Sequence, residues 1–312
     1  MATNATLEPE AKLSVFFDVK NQQKGSLNYC PAPAKLNLFL HITGRRPDGY
    51  HLLETVFQLL DHHDVLHFSL RADDRICRTN TIDGVAENVD LTVRAARMLQ
   101  TEFLQRFGFQ APGVDIHIEK QLPMGGGLGG GSSDAATTLM ALNYLWNAQF
   151  SREQLMALGL RLGADVPFFI FGQNAFAQGV GEQLTAIETP ARWYVVVEPG
   201  VMVSTAAIFG SSHLTRNTKP VRIVDFSKAS VGFGKNDLQG VVCALTVEVA
   251  EAVAWLSQFG LARMTGSGAC VFCAFETEHQ ADMVIAAAAS LAGKLTVWKA
   301  KAITHHPMSG LL

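Results

Sequence analysis

An α+β fold in two domains is the architecture this chain predicts, and three observations carry that prediction. With 312 residues, 48% of them hydrophobic, the chain can bury more than one core. Its N-terminal part holds several short runs in which polar and apolar residues alternate, the mark of strands with one buried face. From about residue 235 onward, helical and strand patterns take turns.

The elements follow in order. Residues 1–28 read as an N-terminal extension. They lack the apolar stretch of a signal peptide and the Arg/Ser-rich composition of a transit peptide, and Glu8, Glu10 and Asp18 argue against both. Leu13-Ser-Val-Phe-Phe17 is compatible with a short strand. Residues 29–43 predict a strand, and Gly44–Gly49 a turn. Thr55–Leu60 and Val65–Leu70 predict two more strands. Residues 88–106 predict an amphipathic helix with Leu91, Ala95, Met98 and Leu99 on its apolar face. Val114–Glu119 alternates cleanly and predicts a strand that runs into a glycine-rich segment. A helix follows over 132–147, with Ala135, Leu139, Leu142 and Trp146 as its stripe. Ser132 or Ser133 is its expected N-cap, and Asp134 sits in the first turn, where negative charge is favoured. Ser151 opens a second helix that ends near Gly163. Residues 164–171 are read as a turn and an apolar strand, and Trp193–Glu198 as a further strand. The C-terminal part predicts a helix over Leu238–Phe259 and a strand over Ala262–Phe275, then a helix over His279–Ala292 and a strand over Lys294–Lys301. The resulting division is an extension at 1–28, one domain at 29–185 and a second at 186–312.

Bulk chemistry narrows the function classes. A net charge of -3 leaves no basic excess for nucleic acid. No apolar run approaches the ~20 residues that span a bilayer. The 5 cysteines are odd in number and scattered, which predicts a reducing, cytoplasmic setting. The expected partner is a small molecule, with no nucleic acid and no membrane, and the chain itself is expected to be a monomer or a weak homodimer.

The most informative segment is Pro123, Met124, Gly125, Gly126, Gly127, Leu128, Gly129, Gly130, Gly131, Ser132 and Ser133. A glycine-rich loop feeding a helix N-terminus is an anion site, because free N–H groups and the helix dipole point at the ligand and no Cβ keeps a phosphate away. A P-loop is rejected, since Ser132 follows Gly131 with no lysine between. The dinucleotide pattern matches formally at Gly125, Gly127 and Gly130. It lacks the strand and acidic residue that should follow the helix. A flexible linker would lose chain entropy on six glycines to no purpose.

This segment resembles the nucleotide-binding motif of the GHMP kinases. Pro33-Ala-Lys-Leu-Asn-Leu38 is similar to the N-terminal motif of that superfamily, and Met264-Thr-Gly-Ser-Gly-Ala-Cys-Val-Phe272 to its C-terminal glycine motif (Gly266, Ser267 and Gly268). The resemblance implies a ribosomal protein S5-like N-terminal domain and a ferredoxin-like α/β-plait C-terminal domain. Arg46-Pro-Asp-Gly-Tyr-His51, Gly163-Ala-Asp-Val-Pro167 and Gly179-Val-Gly-Glu182 resemble one branch of it. That branch uses ATP to phosphorylate a cytidine-diphosphate-linked methylerythritol at its 2-hydroxyl, a step of the non-mevalonate isoprenoid pathway. Homoserine- and mevalonate-type kinases, and a non-catalytic nucleotide sensor, stand as alternatives.

The resemblance also implies roles. Asp165 becomes the base or orienter of the acceptor hydroxyl, although Gly-Ala-Asp-x-Pro is also an ordinary turn sequence. Lys35, in an otherwise apolar strand, becomes its cationic partner, and Asn37 joins them from the same strand face. Tyr50 and His51 are expected at the cytidine end, with Phe209 stacking on the pyrimidine and Thr205 near the diphosphate. ATP and Mg²⁺ are the implied cofactors. Ser132 and Ser133 could serve phosphate or Mg²⁺, or only cap the helix, and no metal ligand is assigned. His62, His63 and His67 beside Asp61 and Asp64 read as a solvated turn, and Cys270 and Cys273 as small hydrophobes of a strand.

Overall fold

The computed structural model describes residues 22–229, 232–289 and 295–312, so the Leu13–Phe17 segment lies outside the described residues. Two long strands, β1 (Ser26–Arg45) and β2 (His51–Leu70), pair antiparallel and form the spine. The two strands predicted at 55–60 and 65–70 are therefore one. The polar residues between them do not break it, because neighbouring elements satisfy them. Asp61 accepts from the Lys301 N–H at 2.7 Å, His62 stacks on Trp298 with centroids 4.2 Å apart, and Asp64 accepts from the N–H groups of Gln121 and Leu122.

β3 (Ile76–Arg78) runs parallel to β4 (Val114–Glu119), and β4 pairs with the end of β2. Between them lies α1 (Leu91–Phe107), which opens where Asp90 accepts from the Thr92 N–H and closes at Gly108. α2 (Gly130–Leu145) starts inside the glycine run, earlier than predicted, and neither serine caps it. α3 (Arg152–Leu162) opens with a capping box of Ser151 and Gln154, as its sequence suggests. α4 (Val166–Phe171) is a helix where a strand is predicted. Pro167 fits a first helical turn, and Val166, Phe168, Phe169 and Ile170 are all buried, so no periodicity is visible in so short an apolar run. The hairpin of β5 (Ala175–Gln178) and β6 (Gln183–Ala186) pairs with β2.

The remainder comprises β7 (Trp193–Glu198), α5 (Thr205–Gly210), α6 (Ile223–Ala229), α7 (Gln239–Leu245), α8 (Val247–Leu256), β8 (Arg263–Met264), β9 (Val271–Phe275), α9 (Glu278–Ala288) and β10 (Thr296–Ile303). The helix predicted over 238–259 divides at Thr246, which is extended. The strand predicted over 262–275 is interrupted by Gly266–Gly268. β10 pairs with β7 along Thr296–Lys301 and with β2 through Ala302 and Ile303, so one sheet runs β3-β4-β2-β10-β7-β9-β8.

Three buried clusters hold this frame. One lies between α1–α4 and the sheet around Phe57, Phe68, Leu139 and Phe168, and a second surrounds Val195, Val242, Leu256 and Val271. The third, around Leu36, Phe39, Val196 and Phe272, joins them. Met308, Leu311 and Leu312 return to the first cluster, and the His306 N–H donates to the Gly172 carbonyl at 2.9 Å. Among the described residues no helix is long and apolar enough to cross a membrane.

Candidate active site

Register shifts in β1 flank Lys35 and Asn37, and both side chains point to the same side, only 2% and 3% exposed. Lys35 Nζ donates to Asn37 Oδ1 at 2.5 Å, lies 3.5 Å from Asp165 Oδ2, and sits over the Phe57 ring at 5.4 Å. Asn37 is fixed in turn. Its Nδ2 donates to Thr55 Oγ1 at 2.9 Å, and its backbone N–H donates to Thr265 Oγ1 at 3.0 Å. A buried ammonium needs such partners to offset its desolvation. Asp165 stands at the turn between α3 and α4, its side chain 35% exposed.

The glycine loop is locked to this corner. The Lys35 N–H donates to the Leu128 carbonyl at 2.9 Å, and the Cys270 N–H to the Gly126 carbonyl at 3.0 Å. At Gly127 (φ +77°) a Cβ would lie 2.2 Å from the Thr265 carbonyl oxygen, so glycine is what lets the two glycine segments touch. Gly129 (φ +76°) starts α2 where a Cβ would meet the Phe169 ring at 2.9 Å.

Two clefts meet at this loop and share Gly127, Gly129 and Ser132. The larger, about 670 Å³, gathers Lys35, Asn37, Tyr50, His51, Asp165, Thr205, Phe209, Gly266 and Ser267. The smaller, about 370 Å³, runs along Pro123–Ser132, with Ile82, Val85, Val89, Met124 and Lys120 on its walls. A helix N-terminus, a cradle free of Cβ atoms and an ammonium make a donor set suited to a polyphosphate. Ser132 lines both clefts. Ser133 is buried, and among the described residues its Oγ has no hydrogen-bond partner; Gly268 packs against Met264.

Asp134 lines the smaller cleft and is paired with Lys120. Its Oδ2 accepts from Lys120 Nζ at 2.8 Å, and the same ammonium pairs with buried Asp64. Burial drives the Asp134 carboxyl well above the usual carboxylate range; Lys120 opposes that and Asp64 adds to it.

At the far end of the larger cleft, the rings of His51 and Phe209 lie 4.8 Å apart, while Tyr50 is 66% exposed at the mouth. Thr205 Oγ1 and Ser267 Oγ are 3.2 Å apart, which joins the start of α5 to the C-terminal glycine segment. Arg216 Nε donates to His51 Nε2 at 3.0 Å. Burial, then Arg216 and Arg45, hold the His51 pKa below its ordinary value.

His62, His63 and His67 lie in β2 rather than in a turn. Among the described residues no group of three or more His, Cys, Asp or Glu side chains is placed to hold a metal. Cys270 and Cys273 are buried and unpaired. Sequence reasoning missed Lys120, Arg216 and Thr265. Lys120, a base closing the strand that leads into an anion loop, carried a usable signal. Arg216 carried none, because nothing local marks a contact 165 residues away.

The GHMP kinases N terminal domain matches residues 90–173, and the GHMP kinases C terminal domain matches residues 222–293. The chain is 63% identical to the 4-diphosphocytidyl-2-C-methyl-D-erythritol kinase of Herminiimonas arsenicoxydans, over 92% of this chain and 98% of that protein. A crystal structure of 4-(cytidine 5'-diphospho)-2C-methyl-D-erythritol kinase superposes with a TM-score of 0.73 at 33% identity, covering 87% of this chain and 98% of the other. The mevalonate kinase of L. major, in complex with R-mevalonate, gives 0.64 at 15% identity, covering 90% and 98%, a likeness of fold alone.

Proposed function

The chain belongs to the GHMP kinases, among the 4-diphosphocytidyl-2-C-methyl-D-erythritol kinases, and from that premise we propose how its two clefts divide the reaction. The protein transfers the γ-phosphoryl group of ATP to the 2-hydroxyl of 4-diphosphocytidyl-2-C-methyl-D-erythritol, giving the 2-phosphate and ADP. The smaller cleft takes the nucleotide, with its base against Ile82, Val85 and Met124 and its phosphates along the glycine loop. The larger cleft takes the acceptor, its cytosine beside the paired rings of His51 and Phe209 near Tyr50, with His51 at the base's edge, and its diphosphate near Thr205 and Ser267.

The observation that carries this reading is the Lys35–Asp165 pair, 3.5 Å apart, beside the glycine loop that both clefts share. There Asp165 orients the hydroxyl and accepts its proton as the new O–P bond forms and the bond to ADP breaks. Lys35 pairs with Asp165 and balances charge on the transferred group, and Asn37 holds Lys35. Mg²⁺ belongs to the same proposal. Ser132, which lines both clefts, would offer it a hydroxyl, and the ion would supply positive charge to offset that of the phosphates. A cytoplasmic location and a monomeric or weakly dimeric state complete the reading.

The test is ADP release with Mg-ATP and three acceptors: the cytidine compound, mevalonate and homoserine. Turnover with the cytidine compound alone is expected. Turnover with another acceptor would move the chain elsewhere among the GHMP kinases, and ATP binding without turnover would favour a nucleotide sensor.

A further inference from the structure

Arg216 serves four acceptors at once. Its Nε donates to His51 Nε2 at 3.0 Å and its Nη1 to the Leu214 carbonyl at 3.1 Å. Its Nη2 donates to the carbonyls of Phe209 at 2.9 Å and Ser211 at 2.8 Å. Those last two lie at the C-terminal end of α5, where carbonyls lack helical partners.

A guanidinium in a protein keeps its proton and can only donate. His51 Nε2 must therefore offer a lone pair, and the single proton of the neutral ring sits on Nδ1. Burial and the charges of Arg216 and Arg45 disfavour a second proton. His51 lines the acceptor cleft, and among the described residues no protein group bonds to its Nδ1. Arg216 thus sets the hydrogen-bond polarity of the His51 ring and braces the Phe209 backbone beside it.

The geometry points to Arg216 as the positioning residue that makes this cleft choose cytosine over uracil. The inference rests on the far end of the cleft being the base pocket. Ring N3 of cytosine accepts a hydrogen bond, whereas ring N3 of uracil carries a hydrogen and donates. A His51 fixed as an Nδ1–H donor pairs with the first and faces the second donor to donor. To accept uracil, His51 would have to move its proton to Nε2, where it meets the N–H of Arg216. A site built to make a hydrogen bond rejects the analogue that leaves it unmade.

The experiment compares the wild-type protein with Arg216→Met and Arg216→Lys. Competition by CDP and by UDP against the acceptor is measured, together with the KM for Mg-ATP and the ¹⁵N NMR tautomer of His51. Wild-type protein is expected to prefer CDP by about 100-fold, and Arg216→Met to lose about tenfold or more of that preference at unchanged KM for ATP. Arg216→Lys, which keeps a donor but not the fork, should recover part of it. The NMR spectrum of the wild-type protein should place the proton on Nδ1, a readout independent of whether the variants fold. A proton on Nε2 would overturn the inference. So would an unchanged preference in Arg216→Met with both nucleotides weakened equally, the signature of a brace alone. A wild-type protein that prefers neither nucleotide would overturn the base-pocket reading and the inference with it.

Discussion

The two ends of the larger cleft are built by opposite means. At the Lys35 end, Lys35 and Asn37 are buried and fixed through Thr55 and Thr265, and they hold the half-buried Asp165 3.5 Å from the ammonium. At the His51 end, they stand on the rim beside irregular chain, and Arg216 gathers them. A group transfer needs positions held within fractions of an ångström, which buried strands supply. Reading a base needs a pocket that opens to let it in. The two ends should therefore fail differently when broken.

The largest effect is expected from Asp165→Asn. The neutral amide matches the shape of the carboxylate but cannot take the hydroxyl proton, so kcat should fall by about 10²–10⁴-fold. ATP affinity should hold, because the glycine loop is untouched. Single-turnover phosphorylation and nucleotide titration separate the two, and near-normal turnover would remove Asp165 from the mechanism.

Gly127→Ala comes next. The new Cβ would sit 2.2 Å from the Thr265 carbonyl oxygen at a φ of +77°. The left-handed backbone alone costs ~1–2 kcal/mol, and the clash adds to it. Thermal denaturation should show a clear loss of stability, and both substrates should bind more weakly, since Gly127 lines both clefts. Unchanged stability would mean that the two glycine segments are not locked as their contacts indicate.

At the open end, His51→Ala should raise KM for the cytidine acceptor by about 10–100-fold and leave KM for ATP nearly unchanged. Equal losses for both substrates would mean that the two ligands are placed wrongly.

How legible these ends were in the sequence follows from their construction. Lys35, Asn37, Asp165 and the glycine loop lie in compact motifs, because a strand or a helix start positions each of them locally. Strands such as Val114–Glu119 and Trp193–Glu198 were readable to the residue, since each alternates or stays apolar throughout and ends at polar or turn residues. α4 was not, because a run buried on all sides shows no period. Nor were the breaks at Thr246, whose backbone is extended, and at Gly266–Gly268, where the chain packs against Gly127. Arg216 and Thr265 matter through partners 165 and 228 residues away, a distance no local pattern spans.

The smallest effect sharpens the comparison most, because it is a profile that should stay flat. The His51 pKa lies below its ordinary 6.5, owing first to burial and then to the charges of Arg216 and Arg45. A lowered pKa means that the neutral ring persists as the pH falls through the range where an unperturbed histidine would charge. The acceptor KM of the wild-type protein should therefore change little between about pH 7.5 and pH 6. Arg216→Met removes one of the two charges and opens the ring to water, so its His51 should protonate at higher pH. Its acceptor KM should then climb as the pH drops toward 6, with the KM for ATP level in both proteins. If the wild-type acceptor KM itself rises steeply below pH 7, His51 titrates freely, and the open end of the cleft is less constrained than its hydrogen bonds imply.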